Sequence, residues 1–228
     1  QQSSRFTLIE KDPTSARICQ LLYPDAKVHA KAIEQCKLPE SYFDLVIGNV
    51  PFGNVRVFDP EMRTFRGPIH DYFIEKAIRK CRPGGLVVLI TSAGTLDKVS
   101  SLLREQLSQS ATLVGAIRLP SSTFQHAATE VVTDLLVLQK IASTAEQADV
   151  WVKAPVHATV GLPINRYFQM HGEQVLGALG ATTSSMFGTP RLTCTGEEPD
   201  PARISALIGG MRLARCVAGS VAVAAPVI

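Results

Sequence analysis

No strong charge of either sign marks this 228-residue sequence, whose net charge of +3 is too mild to imply a polyanionic partner by itself. Any nucleic-acid contact therefore falls to a local basic face. Arg56, Arg63, Arg66, Arg79, Lys80 and Arg82 are the candidates for it, with an ordinary solvated surface as the alternative. Cysteine is sparse too. The five residues (Cys19, Cys36, Cys81, Cys194 and Cys216) are odd in number, widely spaced and without a C-x-x-C pair. That counts against zinc sites and disulfide frameworks and points to a reducing compartment. No apolar run approaches the roughly 20 residues of a membrane helix, and no signal peptide opens the chain, so the reading is cytoplasmic. Internal repeats and strong low-complexity tracts are also missing.

What is present is a core-forming composition, 46% hydrophobic and 19% charged, which suits one domain with or without a small appendage. Phe6-Thr7-Leu8-Ile9 reads as a short strand. Asp12-Pro13 then gives a helix N-cap with proline at the first helical position. Strands are expected around Val28, over 44–48 and over 86–90, with a helix from Pro68 that Gly84-Gly85 closes. Another amphipathic helix is marked by Leu96, Val99, Leu102, Leu103 and Leu107, and further strands by 113–120 and 131–138. This β-α-β rhythm predicts an α/β, doubly wound sheet. The polar stretch 143–148 is the expected boundary, with a catalytic core over 1–142 and an extension or linker to further domains over 143–228. Helices are predicted near 164–168 and over 201–213, and 217–228 is Ala/Val-rich without a readable pattern.

The tetrad Asn49-Val50-Pro51-Phe52 follows the apolar run 43–48 directly. A planar amine can be held there in two ways at once: the Asn49 side-chain carbonyl and the Val50 main-chain carbonyl each accept one N–H, while the Phe52 ring stacks on the attached base. That is chemistry for methylating an sp² amino group. The long, polar loop 53–67 after this strand end is of the kind that forms binding elements in α/β sheets.

The tetrad resembles the Asn-Pro-Pro-Phe motif of amino-methyltransferases that use S-adenosylmethionine, above all the gamma-type N6-adenine DNA methyltransferases. Val50 stands where that family has its first proline. The stretches Ile47-Gly48-Asn49-Val50-Pro51-Phe52-Gly53, Arg82-Pro83-Gly84-Gly85, 91–98, Ile117-Arg118-Leu119-Pro120 and 128–134 are similar to one branch of it. That branch is the methyltransferase region of large helicase-methyltransferase proteins of phages, plasmids and conjugative elements, the DarB-like antirestriction family. Ile164-Asn165-Arg166-Tyr167-Phe168 and Val175-Leu176-Gly177 look like the segment that follows it there. The resemblance implies a Rossmann-like class I methyltransferase fold, S-adenosylmethionine as cofactor, DNA as substrate, and further domains, a helicase among them, in a longer chain. It also implies a ribose-binding role for Glu10, whose carboxylate can accept from two adjacent hydroxyls, and a place beside the cofactor's adenine for Glu34.

One part of the family pattern is not found. Its glycine-rich cofactor loop, acidic-x-Gly-x-Gly, would lie about 20 residues before Glu10, where this sequence does not reach. The chain therefore reads as a fragment whose sheet lacks the first strand, leaving the strands at Phe6 and Asp44 with an unpaired edge each. Methylation of an RNA base or a glutamine amide is an alternative to DNA, and a decayed, non-catalytic DNA-binding or scaffolding module an alternative to an enzyme. His70 and Asp71 suit capping of a first helical turn. Arg118 suits either a phosphate or a neighbouring carboxylate.

Overall fold

The computed structural model of the chain describes residues 4–51, 53, 55–127, 131–183, 188 and 190–214. Phe52, the stretch 128–130 and the tail 217–228 singled out above lie outside them. The chain divides into two compact units, one of residues 1–39 and 54–68, the other of residues 40–53 and 69–228. The expected boundary at 142/143 thus falls inside the second unit.

In the first unit, β1 (Thr7–Glu10) pairs in parallel with β2 (Lys27–Ala30), Glu10 standing opposite Ala30. The crossover between them is α1 (Pro13–Leu22), capped by Asp12, whose Oδ1 accepts the Ser15 N–H at 2.7 Å. Such a cap adds about 1 kcal/mol, and proline at N1 forfeits no intrahelical bond. Ile33–Gln35 forms a short 3₁₀ turn past β2.

The second unit is built on a four-stranded sheet in the order β3 (Phe43–Asn49), β4 (Cys81–Ser92), β6 (Thr133–Gln139), β5 (Thr112–Leu119). β3 runs parallel to β4, and β6 is antiparallel to both β4 and β5, so three of the four strands point one way. Between β3 and β4 lies α2 (Ile69–Lys80), which buries Ile74, Ala77 and Ile78 in one cluster with Val87 and Leu89. Among the described residues β1 and β3 each have a strand on one side only. β3 consequently leaves Leu45 51% and Ile47 73% exposed, unusual for a parallel strand, which is normally covered on both faces.

Gly84-Gly85 does not close α2. The helix ends at Lys80 and both glycines lie inside β4. Gly84 has φ +74°, and a Cβ on Gly85 would come within 2.6 Å of the Cys81 Sγ and 2.9 Å of the Asp44 carbonyl, so a close backbone approach demands the glycine there. The single helix expected around 96–107 is two, α3 (Gly94–Asp97) and α4 (Leu102–Ser108). Lys98 is extended at the break, and Arg104 donates from Nη2 to the Lys98 carbonyl (2.9 Å), Nη1 to Thr95 (3.2 Å) and Nε to Val152 (2.7 Å). A buried guanidinium takes the carbonyls a continuous helix would use. Val99 and Leu102, counted on the apolar face of that helix, are 81% and 73% exposed.

Beyond β6, a capping box of Thr144 and Gln147 starts α5 (Ala145–Val152), and Asn165 caps α6 (Arg166–Met170). A hairpin of β7 (Ala178–Thr183) and β8 (Pro190–Thr195) follows, then α7 (Pro201–Gly210), capped by Asp200. Trp151, Ile164, Tyr167 and Phe168 join the core cluster of the four-stranded sheet.

Candidate functional site

Asn49 is the last residue of β3, paired with Ile90 of β4. The Val50 N–H donates to the Ile90 carbonyl at 2.9 Å, and Val50, main chain included, is 1% exposed within the main core cluster. The backbone is therefore fixed where the strand ends. Pro51, exposed, adds no donor to continue the ladder. Asn49 is exposed, and among the described residues neither its carboxamide nor the Val50 carbonyl has a hydrogen-bond partner. Asn49 therefore offers an exposed acceptor at a rigid strand end, whereas the Val50 carbonyl belongs to a residue that is buried here. Phe52, the expected stacking residue, lies outside the described residues.

Glu10 and Glu34 belong to the first unit, Glu10 at the carboxyl end of β1 and Glu34 four residues beyond the end of β2. The Glu10 Oε1 accepts the Asp12 N–H at 2.8 Å, which orients the carboxylate, and among the described residues Oε2 accepts nothing. Glu34 is half-buried in its 3₁₀ turn.

The candidate basic residues are divided between the two units. Arg79 and Lys80 turn to Glu40 (3.2 and 2.7 Å) and Arg82 to Asp44 (2.6 Å), all at the amino end of β3, the end opposite Asn49. The Lys80 side chain is also buried. Arg63 and Arg66, of the first unit, donate to carbonyls of their own loop. His70 and Asp71 sit in the first turn of α2. Asp71 accepts from Lys98 Nζ at 2.5 Å, and its Oδ1 lies 3.3 Å from His70 Nε2. Burial pushes the His70 pKa down against the pull of Asp71.

Arg118 settles on carboxylates. Across the carboxyl edge of the four-stranded sheet, Thr91 of β4, Asp134 of β6 and Arg118 of β5 stand in one register row, next to the row that holds Asn49 and Ile90. All three are fully buried. Arg118 donates from Nε and Nη2 to the two Asp134 oxygens at 2.8 and 2.9 Å, and its Nη1 lies 2.8 Å from Asp97 Oδ2, an ionic contact without hydrogen-bond alignment. The Phe168 ring lies 4.2 Å from the guanidinium. Two carboxylates sharing one guanidinium leave a surplus of negative charge. Asp97 carries it, its carboxyl pushed up to about 6 by burial and by Asp134 against the pull of Arg118. Sequence reasoning gave Asp97 and Asp134 no role. For Asp134 the available signal was a charged residue inside each of the apolar strands β5 and β6, since a buried charge demands a partner; Asp97, at the end of α3, carried no such signal.

A groove of about 650 Å³ opens in the second unit among Val99, Arg104, Lys153, Arg166 and Met170. None of the expected site residues lines it. Lys153 and Arg166 share the single carboxylate of Asp149.

No family profile matches the chain. It is similar to the Defense against restriction protein B of Escherichia phage P1, 34% identical over 141 residues, which are 59% of this chain and 6% of that protein. The chain thus spans a small part of this curated relative's length. Among solved structures it resembles a modification subunit assigned to a type I restriction enzyme of Vibrio vulnificus YJ016, at TM-score 0.53 and 15% identity over 90% of this chain and 50% of that one. It also resembles the M protein of the type I restriction enzyme EcoKI, at TM-score 0.50 and 17% identity over 90% of this chain and 56% of that one. These likenesses bear out the α/β fold expected from the sequence. Among the described residues no helix is long and apolar enough to cross a membrane.

Proposed function

We propose that the chain is an S-adenosylmethionine-dependent methyltransferase domain acting on the N6 amino group of adenine in DNA. One observation carries the reading: the Asn49 carboxamide is exposed and without a partner among the described residues at the carboxyl end of a strand pinned to β4, with the Val50 carbonyl next to it in the chain. The likeness to type I modification subunits and to a phage protein of defence against restriction supports the DNA substrate.

Adenine N6 is out of reach inside a duplex, so the base is flipped out before transfer. Asn49 Oδ1 and the Val50 carbonyl each accept one N6–H, turning the nitrogen lone pair away from the ring and stabilising the positive charge that develops on it. Phe52 holds the base by stacking. When bound, S-adenosylmethionine supplies a methyl group on a sulfonium: the N–C bond forms as the S–C bond breaks, and that electron pair stays on sulfur. N6 then loses one proton to solvent. Glu10, with one oxygen oriented and the other without a partner among the described residues, suits the cofactor's ribose, and Glu34 its adenine. The further domains of a longer chain, including a helicase, belong to the same proposal.

Asn49→Ala tests it. Transfer of a tritiated methyl group to DNA is expected to fall by about 10²- to 10³-fold, the usual loss on removing one such polar group, with the fold intact because the side chain is exposed. Undiminished transfer refutes the assignment. A non-catalytic DNA-binding or scaffolding role is the second reading, favoured by the edge that β3 leaves unpaired among the described residues. DNA binding without methyl transfer, in a chain that takes up no S-adenosylmethionine in isothermal titration, selects it.

A further inference from the structure

We infer that Asn165, from the segment beyond β6, is a positioning residue for the methyl transfer proposed above, fastening the α3 turn that fixes the β4 end beside Asn49 and Val50. The sequence singles out Ile164-Asn165-Arg166-Tyr167-Phe168 without giving it a task. In the structure Asn165 is fully buried and makes four hydrogen bonds through its side chain and its own N–H. Its Nδ2 donates to the Leu96 carbonyl at 2.9 Å and to the Trp151 carbonyl at 2.8 Å. Its Oδ1 accepts the Tyr167 N–H at 3.0 Å, and its own N–H donates to Asp97 Oδ1 at 2.8 Å.

Three different elements meet on this one side chain: the end of α3, the end of α5 and the start of α6. α3 in turn begins two residues after β4 ends. It is held to that strand by the contact of Thr91 Oγ1 with Thr95 Oγ1 at 2.7 Å, and to β5 by the contact of Asp97 with Arg118. β4 is the strand to which Val50 is bonded, through Ile90, one residue before Thr91. Hydrogen bonds and ion pairs, joined by short stretches of backbone, therefore run from Asn165 to Thr91, the residue after the Ile90 that pairs with Asn49 and accepts the Val50 N–H. A buried amide with every polar atom satisfied fixes geometry better than apolar packing of the same volume, because any displacement leaves a group unpaired. Displacing reacting groups by about 1 Å costs on the order of 10²-fold in rate. Residues past 142 thus belong to the catalytic apparatus rather than to a linker.

The discriminating variant is Asn165→Ser in the full chain. A serine keeps an N-cap acceptor for the Tyr167 N–H but loses both Nδ2 donations, so α6 stays capped while the clamp is released. The expected result is a kcat for methyl transfer lowered about 10- to 100-fold, with KM for S-adenosylmethionine and for DNA within about twofold of the unsubstituted chain. In parallel, amide hydrogen exchange at Asp97 and Val50, whose N–H groups donate to Ala93 and Ile90, is expected to speed up. Asn165→Ala removes the cap as well and is expected to go further in both measurements. An unchanged kcat in Asn165→Ser, or a loss confined to KM, overturns the inference. If the unsubstituted chain transfers no methyl group at all, the functional reading fails on its own. Exchange at Val50 then still decides whether Asn165 sets that strand end, and unaltered protection overturns the clamp.

Discussion

Replacing Asp97 by Asn tests the charge balance beneath the candidate site. Arg118 is satisfied chiefly by Asp134, which it meets through two aligned hydrogen bonds, and Asp97 is the second carboxylate on an already neutralised guanidinium. With the Asp97 carboxyl raised from 3.8 to about 6, and its side chain only 9% exposed, ionisation works against the fold by about 3 kcal/mol at 1.36 kcal/mol per pH unit. A carboxyl raised on folding contributes stability that is fully present below the unfolded value of 3.8 and lost as pH rises through about 6. The neutral amide removes that dependence. It also brings a penalty of its own, since one carboxamide oxygen cannot serve both the Asn165 N–H and Arg118, at about 1–3 kcal/mol for the group left unpaired. The absolute stability of Asp97→Asn is thus a poor test, and its change with pH a good one. Urea unfolding at pH 4.5 and pH 8 is expected to show the variant gaining about 2 kcal/mol on the unsubstituted protein between the two. A difference that stays flat with pH, or that turns against the variant as pH rises, would mean that Arg118 holds Asp97 ionised at or below its ordinary value, and the reasoning fails.

Two further outcomes are expected. Phe52→Ala should weaken binding of a DNA with an extrahelical adenine by about 1–3 kcal/mol while Phe52→Trp largely retains it; if Phe52→Ala instead unfolds the protein and its folded fraction binds that DNA normally, the ring belongs to the core. The 228-residue chain should bind S-adenosylmethionine more weakly than a chain extended by a strand and an acidic-x-Gly-x-Gly turn before Phe6, because the methionine end of such a cofactor needs close backbone approach; equal affinity in calorimetric titration would mean that the 228 residues complete the cofactor site without such a turn.

The elements that sequence reasoning read correctly are those with a local physical cause. Asp12-Pro13 starts α1 because the carboxylate and the proline ring act on the first turn alone. β3 and β4 follow from apolar runs that need burial whatever the neighbours are, and Asn49 could be placed because a strand end and a proline lie in the sequence itself. The misreadings have non-local causes. The apolar spacing of 96–107 fits one helix, yet Arg104 reaches back to the Thr95 and Lys98 carbonyls and across to Val152, breaking the helix and exposing Val99 and Leu102. Gly84-Gly85 looks like a helix stop, and only the approach of the Asp44 carbonyl reveals why β4 needs the second glycine.

The same distinction explains why the segment after residue 142 carried no legible function. Asn165 is one amide among many in the sequence, and nothing local tells an N-cap from a clamp. What separates them is which carbonyls lie within reach, and those belong to Leu96 and Trp151, 69 and 14 residues away along the chain. Arg118 is the complementary case. Its charge in a buried strand announces that a carboxylate must come to it, and the choice between Asp134, Asp97 or both awaits the strand register. In this fold a buried polar residue advertises that it has a partner, while the partner's identity, and with it the path from the C-terminal segment to the Asn49 strand end, is fixed only by the packing of β4, β5 and β6.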